Sequence, residues 1–451
     1  MLKQQIQDIF NKAILAADPY KAVLAQKEHI LAIFQGKKLE QINLVAFGTA
    51  AVPMARALSD SLGQMITKGI IITKYGHTGR KFPDTVWAYE AGHPVPDDNG
   101  LEATQKVMKL LDEADSSTLV VFLISGGGSA LLTCPYEGIT LRDKQVATDM
   151  LLKAGANKHE INTVRKHISA VKGGRLAEIA YPAKIVSLIL SNVIGDALDV
   201  IASGPTSPDG STYEQSLNII DKYNLKSGMP SRIIDHMVMG MRGDIPETPK
   251  EGSQALRGVR NVIVGNNMLA INAAKRAAEE AGYRTIVLAT DLRGEASAVA
   301  KQLAARAREF KNKMNVGEKL CLISGGEITV TSNGDSNSGR NAKLALVFGL
   351  EIQGEYGVTF LSASTDGYDG ATDAAGAFSG GRMVDMAIRI GLYPTEYMKS
   401  NDSYTFFKKS DGLLITGPTK TDVMDMQIIS LEKMKASARE TFKVYGEVMG
   451  D

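Results

Sequence analysis

The feature that most constrains the fold is an apolar run that ends abruptly on glycine. Residues 120–132 read VVFLISGGGSALL, and residues 319–330 read KLCLISGGEITV. The uninterrupted apolar stretch Val120–Ile124 is typical of a strand buried on both faces, as in parallel sheets. Strand-like runs of this kind alternate with helix-like patterns along almost the whole chain. The alternation predicts α/β layers built on mainly parallel sheets, with each LISGG motif forming a turn at a strand end.

The length and the spacing of these runs predict the domain organisation. A chain of 451 residues is too long for one core, and two or three domains are expected. A polar stretch bearing Pro and Gly, residues 243–258, interrupts the alternation, so we predict a boundary within 241–258. The predicted α/β domains span 1–245 and 255–420 and face one another across a central cleft. A C-terminal helix, about 421–445 within the segment 421–451, is predicted to pack back on the first domain.

Composition excludes several classes of protein. Lys and Arg number 51 against 50 Asp and Glu, so the net charge is +1, and no basic stripe points to nucleic acid. No apolar run reaches the roughly 18 residues of a membrane helix, and no signal-peptide core is present. Cys134 and Cys321 lack CxxC or metal-ligand spacing, which is usual in a reducing compartment. We expect a cytoplasmic protein, monomeric or homodimeric, that binds a small molecule and neither nucleic acid nor a membrane.

The ends of the predicted strands carry the residues suited to binding an anion. Glycine has no Cβ, so a glycine-rich turn lets backbone N–H groups surround a phosphate or a similar group. Ligands of open α/β sheets bind beyond the carboxyl ends of the strands. The alternative is a tight strand–helix turn that binds nothing. The predicted anion-binding residues are Ser125, Gly126, Gly127, Gly128, Ser129, Gly325, Gly326 and Glu327.

Charged residues near other strand ends are further candidates. Lys172 lies in a basic segment, 161–177, that is either a solvated helix face or a surface that contacts phosphate. Asp196 follows a strand end, where a carboxylate suits Mg²⁺ or caps a helix. Asp366 lies in a loop with two more aspartates, which a series of Asx turns would also explain. Arg340 begins a helix, where its charge opposes the dipole, so it needs an anionic partner.

Missing motifs narrow the reaction classes. The sequence contains no GxxxxGK[ST], so the chain is not a P-loop enzyme. Residues 45–55, VAFGTAAVPMA, retain only Gly48 of the three glycines of a dinucleotide-binding fingerprint. This weakens a dehydrogenase interpretation.

Together, these motifs resemble those of the class II glycerate 2-kinases, the MOFRL family, for which hydroxypyruvate reductase is an older label. The ordered set spans about residues 10 to 430 and comprises LISGGGSALL, VRKHISAVKGGRLA, GDALDVIASGPTSPD, LISGGEITV, GRN, STDGYDGATDAAGA and TGPTKTDVMD. The resemblance implies two α/β domains around a cleft, ATP, Mg²⁺ and phosphoryl transfer to the 2-hydroxyl of D-glycerate. On the hypothesis of such a kinase, we assign phosphate contacts to Gly126–Ser129, metal or base roles to Asp196 and Asp366, and stabilisation of transition-state charge to Arg340.

One departure from the family pattern bears on the substrate. The family usually reads Gly-Lys-Ala-Ala where this chain has Gly48-Thr49-Ala50-Ala51, so Thr49 replaces a lysine considered catalytic. The change predicts either a different acceptor or a lost activity. An NAD(P)-dependent hydroxypyruvate reductase and a non-catalytic ligand-binding relative are the alternative functions. The candidates for a substitute charge are Lys343, Lys420 and Lys74.

Overall fold

A computed structural model describes residues 2–330 and 339–434, and the chain divides into two compact units. The first unit is Pro19–Gly265, and the second is Met1–Asp18 together with Asn266–Asp451. Helix α1, Leu2–Ala16, therefore belongs to the second unit although it opens the chain. It packs on a helix of that unit that begins after residue 266.

The first unit is built on a six-stranded sheet with the order β3-β2-β1-β4-β5-β6, in which every pair of neighbours is parallel. Its strands are β1 (Gln41–Phe47), β2 (Ile66–Lys74), β3 (Val86–Ala91), β4 (Thr118–Ile124), β5 (Lys184–Leu190) and β6 (Val259–Gly265). Its helices are α2 (Pro19–Leu24), α3 (Lys27–Gly36), α4 (Ala51–Leu62), α5 (Asp98–Asp112), α6 (Gly128–Leu131), α7 (Leu141–Lys153), α8 (Lys158–His167), α9 (Arg175–Ile179), α10 (Tyr213–Lys222) and α11 (Ser231–Arg242).

The sequence accounts for these elements locally. Every residue of β4 is buried, because a central parallel strand is covered by helices on both faces. Phe47 of β1 and Phe122 of β4 share one core with Val107 and Leu111 of α5. Three helices begin with a reciprocal capping box, which satisfies N–H groups that have no intrahelical partner: Thr140 with Asp143, Asn157 with Glu160, and Thr212 with Gln215.

The second unit is built on a six-stranded sheet with the order β11-β10-β9-β12-β8-β7. Only the β7–β8 pair is parallel, and the other neighbours are antiparallel. Its strands are β7 (Arg284–Glu295), β8 (Lys319–Thr329), β9 (Val358–Ser364), β10 (Gly376–Ser379), β11 (Leu413–Leu414) and β12 (Asp425–Glu432). Its remaining helices are α12 (Asn267–Glu280), α13 (Ala296–Lys313), α14 (Arg340–Glu351), α15 (Gly381–Arg389), α16 (Pro394–Lys399) and α17 (Ser403–Lys409).

The α/β class with two domains is confirmed, and the parallel arrangement holds throughout the first sheet. The boundary predicted at 241–258 is wrong, because β6 completes the first sheet by pairing with β5. The predicted helix at 421–445 is also wrong over Asp425–Glu432, which forms β12. This strand is buried over all but its last residue, and it lies antiparallel between β8 and β9. The second sheet departs from parallel because of β12 and also because of β10, which is antiparallel to both β9 and β11. Residues 435–451 lie outside the described part.

Over residues 2–330 and 339–434, no helix is both long enough and apolar enough to span a bilayer.

A helical layer of the first unit packs around Tyr213, whose side chain is fully buried. Its ring meets His167 edge-on at a centroid distance of 4.6 Å, and Arg175 Nη2 donates to its hydroxyl at 3.3 Å. Gly240 of α11 lies directly against this ring, since a Cβ built on it would lie 2.4 Å from Tyr213 Cγ. The helix needs glycine here for close approach, not for backbone freedom.

We predict that Gly240→Ala lowers the stability of the first unit by about 1–3 kcal/mol, because overpacking outweighs alanine's better helix propensity. The control is Gly36→Ala at the end of α3, where a Cβ meets nothing within 4 Å, and it should be neutral or slightly stabilising. Calorimetric unfolding of the two variants checks this. Equal melting temperatures for both would show that the Tyr213 ring moves aside freely.

Candidate active site

The parallel first sheet brings the carboxyl ends of its strands to one edge, where several polar loops meet. These are Gly48-Thr49 after β1, Lys74 at the end of β2, His93 after β3, Ser125–Ser129 after β4 and Asp196 after β5. The position is the usual ligand-binding edge of such sheets. The predicted convergence of strand-end loops is therefore met within this unit.

The glycine loop, Ser125–Ser129, presents an anion-binding arrangement of the backbone. Gly127 has a left-handed conformation, with φ of 78°, and it follows the end of β4 by three residues. Among the described residues, no acceptor lies within hydrogen-bond reach of the N–H groups of Gly126 and Gly127. Consecutive N–H groups around a left-handed residue form a concavity that favours anions.

The β1–α4 loop packs against the glycine loop and fixes its shape. Gly48 has φ of 119°, and a Cβ on it would lie 2.2 Å from Ser125 Oγ. The N–H of Ala50 donates to Ser125 Oγ at 3.0 Å, and the N–H of Thr49 donates to the carbonyl of Gly126 at 2.8 Å. Ser125 is fully buried, and its hydroxyl joins the two loops. Its role in anion binding stays a prediction that this burial does not favour.

Thr49 and His93 flank Gly127. The Thr49 hydroxyl donates to the carbonyl of Gly126 at 3.3 Å. A Cβ on Gly127 would lie 2.9 Å from His93 Nε2 and 3.0 Å from Thr49 Cγ2. The sequence analysis did not single out His93, and its position just after the end of β3 is the signal that could have identified it.

The loop after β5 supports the glycine loop from another side. Ser129 Oγ and Ser203 Oγ are 2.8 Å apart, so the Ser129 hydroxyl already has a protein partner. A Cβ on Gly128 would lie 2.8 Å from Ala202 Cβ. Asp196, Ala202 and Ser203 all have positive φ, at 54°, 50° and 64°. Strained non-glycine residues of this kind cluster at functional sites, where the surroundings hold them in place.

The basic segment 161–177 is not a solvated helix face. Lys172 is fully buried, and its Nζ donates to the carbonyl of Leu132 at 3.2 Å. Burial lowers the pKa of Lys172 well below its usual value, and the nearby charges of Lys144 and Arg165 lower it further. Lys172 therefore supports the chain just after the glycine loop from inside the domain. Its contact with phosphate stays a prediction that this burial does not favour.

Lys166, in the same segment, has acidic partners. It is buried, and its Nζ lies 2.7 Å from Asp209 Oδ1 and 3.4 Å from Asp199 Oδ2. Asp199, three residues after Asp196, is thus engaged in an ion pair. This ion-pair group ties α8 to the loop that contains Ser203.

In the second unit, the start of β12 meets the ends of β8 and β9, and Arg340 lies at this junction. Its Nε and Nη2 bind Asp425 in a two-pronged ion pair at 2.6 and 2.8 Å. The predicted anionic partner of Arg340 is therefore Asp425, a fully buried residue that the sequence interpretation did not single out. Burial lowers the pKa of Arg340, and the Asp425 carboxylate more than offsets this, so that the pKa is raised and the guanidinium stays charged.

Asp369 completes this network. Its carboxylate accepts the N–H groups of Asn341 and Ala342 at 2.9 and 2.7 Å, at the start of α14. The Asn341 side chain also donates to Asp425 at 3.0 Å. Burial raises the pKa of Asp369 to about 6, against the opposing effect of these N–H groups. Asp369 therefore anchors the helix that carries Arg340.

Asp366 lies at the end of β9 and is half-buried. Its Oδ1 accepts from Ser364 Oγ at 2.7 Å and from the N–H of Tyr368 at 2.9 Å, an Asx turn of the kind considered from the sequence. Neither hydrogen bond involves its other carboxylate oxygen.

The second LISGG motif is not a turn. Gly325 and Gly326 lie within β8, where they pair with β12, and the strand continues to Thr329. A Cβ on Gly325 would lie 2.0 Å from Asn267 Oδ1, and one on Gly326 would lie 2.2 Å from the carbonyl oxygen of Leu292. These glycines permit close packing, so the prediction of a second glycine turn for an anion is wrong. Glu327 follows these glycines in β8 and is half-buried. Its negative charge contributes to raising the pKa of Arg340.

The predicted substitutes for a lysine at position 49 lie in different surroundings. Lys343 is engaged by Glu295, with Nζ 3.4 Å from Oε1, and Lys420 is exposed. Lys74 is half-buried at the end of β2, at the same edge of the first sheet as Thr49. Only Lys74 of these three belongs to the unit that contains the glycine loop.

Comparisons with known proteins show what this chain is similar to. Residues 5–238 match a family described as DUF4147, a domain of unknown function, and residues 320–425 match the MOFRL family. The D-glycerate 2-kinase of Thermotoga maritima is 42% identical over 95% of this chain and 98% of its own length. The glycerate 2-kinase of Pyrococcus horikoshii is 38% identical over the same shares.

A solved structure agrees with these matches. The crystal structure of glycerate kinase from Thermotoga maritima superimposes with a TM-score of 0.84 at 42% identity, covering 96% of this chain and 99% of that one. With both the sequence families and the three-dimensional arrangement in agreement over nearly the full length, this chain belongs to the glycerate 2-kinase family that combines DUF4147 and MOFRL domains.

Proposed function

We propose that this protein is an ATP-dependent kinase that transfers the γ-phosphoryl group to a hydroxyl of D-glycerate or of a related small polyhydroxy acid. The observation that carries the proposal is the pair of N–H groups at Gly126 and Gly127, which have no acceptor among the described residues and lie at the ligand-binding edge of a parallel sheet. The glycerate 2-kinases to which the chain is similar support the choice of substrate.

Phosphoryl transfer needs little covalent chemistry from the protein and depends on positioning and charge neutralisation. The bond from the γ-phosphorus to the β–γ bridging oxygen breaks, a bond to the acceptor hydroxyl oxygen forms, and the hydroxyl proton passes to a base. We assign the phosphates to Gly126–Gly128. Asp366 is our candidate for the base, because one of its carboxylate oxygens is fixed by the Asx turn.

Arg340 is suited to neutralising negative charge. Two of its nitrogens are fixed by Asp425, and Nη1 has no hydrogen-bond partner among residues 2–330 and 339–434. Its side chain remains 30% exposed. A rigid, charged group with a free donor can stabilise transition-state charge without reorganising.

The donor set also fits Mg²⁺. No three acidic, His or Cys side chains converge within the described part of the chain, whereas Mg²⁺ in kinases is held by one or two carboxylates together with phosphates and water. Asp196 lies in the segment that packs against the glycine loop, and we assign it as the carboxylate that would hold the ion. When bound, Mg²⁺ would neutralise phosphate charge.

Two less specific properties complete the proposal. We place the protein in the cytoplasm, supported by two cysteines that are both free, and we expect a monomer or a homodimer. A hydroxypyruvate reductase is not favoured, since the β1–α4 loop keeps only Gly48 of a dinucleotide-binding fingerprint.

The test is ADP release with D-glycerate, erythronate, threonate and neutral polyols as acceptors, in the presence of Mg²⁺. We expect turnover with at least one acid, and phosphorus NMR should identify the phosphorylated hydroxyl. The control reaction is hydroxypyruvate with a reduced nicotinamide cofactor, which should leave the nicotinamide absorbance unchanged. No ADP release with any acceptor, together with no ATP binding by calorimetry, would refute the proposal.

We predict that Gly127→Ala weakens ATP binding by about ten- to a hundredfold, because hydrogen bonds to a charged ligand are each worth about 1.5–3 kcal/mol. The new Cβ would meet His93 and Thr49, which shifts the loop. The matched control is Gly138→Ala: Gly138 also has a positive φ, of 82°, but its Cβ would meet nothing within 4 Å. Calorimetric titration with ATP compares the dissociation constants of the two variants. An equal loss of ATP affinity in both would mean that backbone strain alone is responsible.

We further predict that the wild type prefers a larger or less charged acceptor over D-glycerate, since Thr49 supplies a hydroxyl where a lysine would supply a cation. Thr49→Lys should shift kcat/KM toward D-glycerate relative to four-carbon acids and neutral polyols. Thr49→Ser, which keeps the hydroxyl, should not. If the wild type already prefers D-glycerate, with kcat of roughly 1–10³ s⁻¹, the altered-acceptor prediction is wrong.

A further inference from the structure

We infer that the imidazole of His93 contacts the anionic group bound at the glycine loop and supplies a hydrogen-bond donor that Thr49 does not. The inference rests on the proposed function. It assigns a ligand-binding role to a residue that follows β3, which lies three positions from β4 in the sheet order.

The first argument is position. His93 Nε2 and Cδ2 lie 2.9 and 3.0 Å from the point where a Cβ on Gly127 would be. The ring therefore rests against the one residue of the loop whose left-handed conformation creates the concavity. His93 is also exposed, so a ligand in the concavity can reach it.

The second argument is that the His93 loop is held rigidly. Asp97 caps α5 by accepting the N–H of Gly100 at 3.0 Å, and it accepts from the Tyr75 hydroxyl as well. Burial raises the pKa of Asp97, and its hydrogen bonds with Tyr75 and with the N–H groups of Gly92 and Gly100 more than offset this, so the net pKa is lowered. Residues on both sides of His93 are thus bound to one carboxylate, which fixes the backbone that carries the ring.

The third argument is chemical. The Thr49 hydroxyl donates to the carbonyl of Gly126, which points its proton at the protein and not at a ligand. An imidazole donates one hydrogen bond when neutral and two when protonated, and either form suits a phosphate oxygen. Lys74, at the same edge, is the competing source of a donor.

The experiment compares His93→Phe, which keeps a ring but removes the donors, with His93→Gln, which keeps an N–H donor. His159→Gln is the matched control, since His159 is an exposed histidine of α8. Lys74→Met tests the competing residue. Each variant is assayed for kcat and KM, for the dissociation constant of inorganic pyrophosphate by calorimetry, and for the melting temperature.

We expect His93→Phe to lose about tenfold or more in pyrophosphate affinity and up to about a hundredfold in kcat. His93→Gln should recover most of both, and His159→Gln should match the wild type. The inference is overturned if His93→Phe matches the wild type, if Phe and Gln variants lose activity equally with a lowered melting temperature, or if Lys74→Met loses more than His93→Phe. A wild type that binds pyrophosphate through His93 but phosphorylates no acceptor would refute the proposed function and leave the inference standing.

Discussion

The packing of two strand-end loops against each other is the constraint on which the first unit's site depends. Gly48 must lack a side chain because Ser125 occupies that space, and the Ser125 hydroxyl in turn accepts the N–H of Ala50. Thr49 closes the arrangement by donating to the carbonyl of Gly126. Because this carbonyl is turned toward the β1–α4 loop, the neighbouring N–H groups are left to face outward. Within the described part of the chain, the N–H groups of Gly126 and Gly127 thus lack an acceptor because of how the two loops pack around a buried serine.

Charged side chains inside the protein fix geometry in both units. In the second unit, Arg340 forms a two-pronged ion pair with the buried Asp425, and Asn341 links it to Asp369. Such a network contributes little net stability, because desolvation opposes the attraction, but it fixes geometry firmly. In the first unit, Lys144 and Lys172 are buried beside hydroxyl and carbonyl oxygens, and burial lowers the pKa of Lys144 to about 7. The first unit also contains a buried ion pair, that of Lys166 with Asp209, so buried lysines are paired with a carboxylate at one place in this unit and lowered in pKa at another.

The His93 loop shows how a ligand-binding edge is assembled from separate parts of the chain. Asp97 serves a local purpose, capping α5, and the same carboxylate fixes the turn that carries His93. The glycine at position 127 allows both the left-handed backbone and the close approach of the ring. A single substitution there would change the backbone conformation and the ring contact together.

Much of the architecture followed from the sequence alone. The all-apolar β4, the capping boxes and the alternation of strands and helices specify an α/β chain, because burial and hydrogen-bond satisfaction act over a few residues. The first glycine loop was also predictable, since only glycine permits φ of 78° at position 127 without strain.

Tertiary structure alone decided which of the predicted residues reach the ligand-binding edge and which do not. The same LISGG sequence forms a turn after β4 and part of a continuous strand in β8, because β12 pairs with the second copy. Likewise, Lys172 is buried and His93 is exposed beside the glycine loop. The exposure of each side chain depends on which distant segments pack against it, and no local sequence pattern encodes that packing.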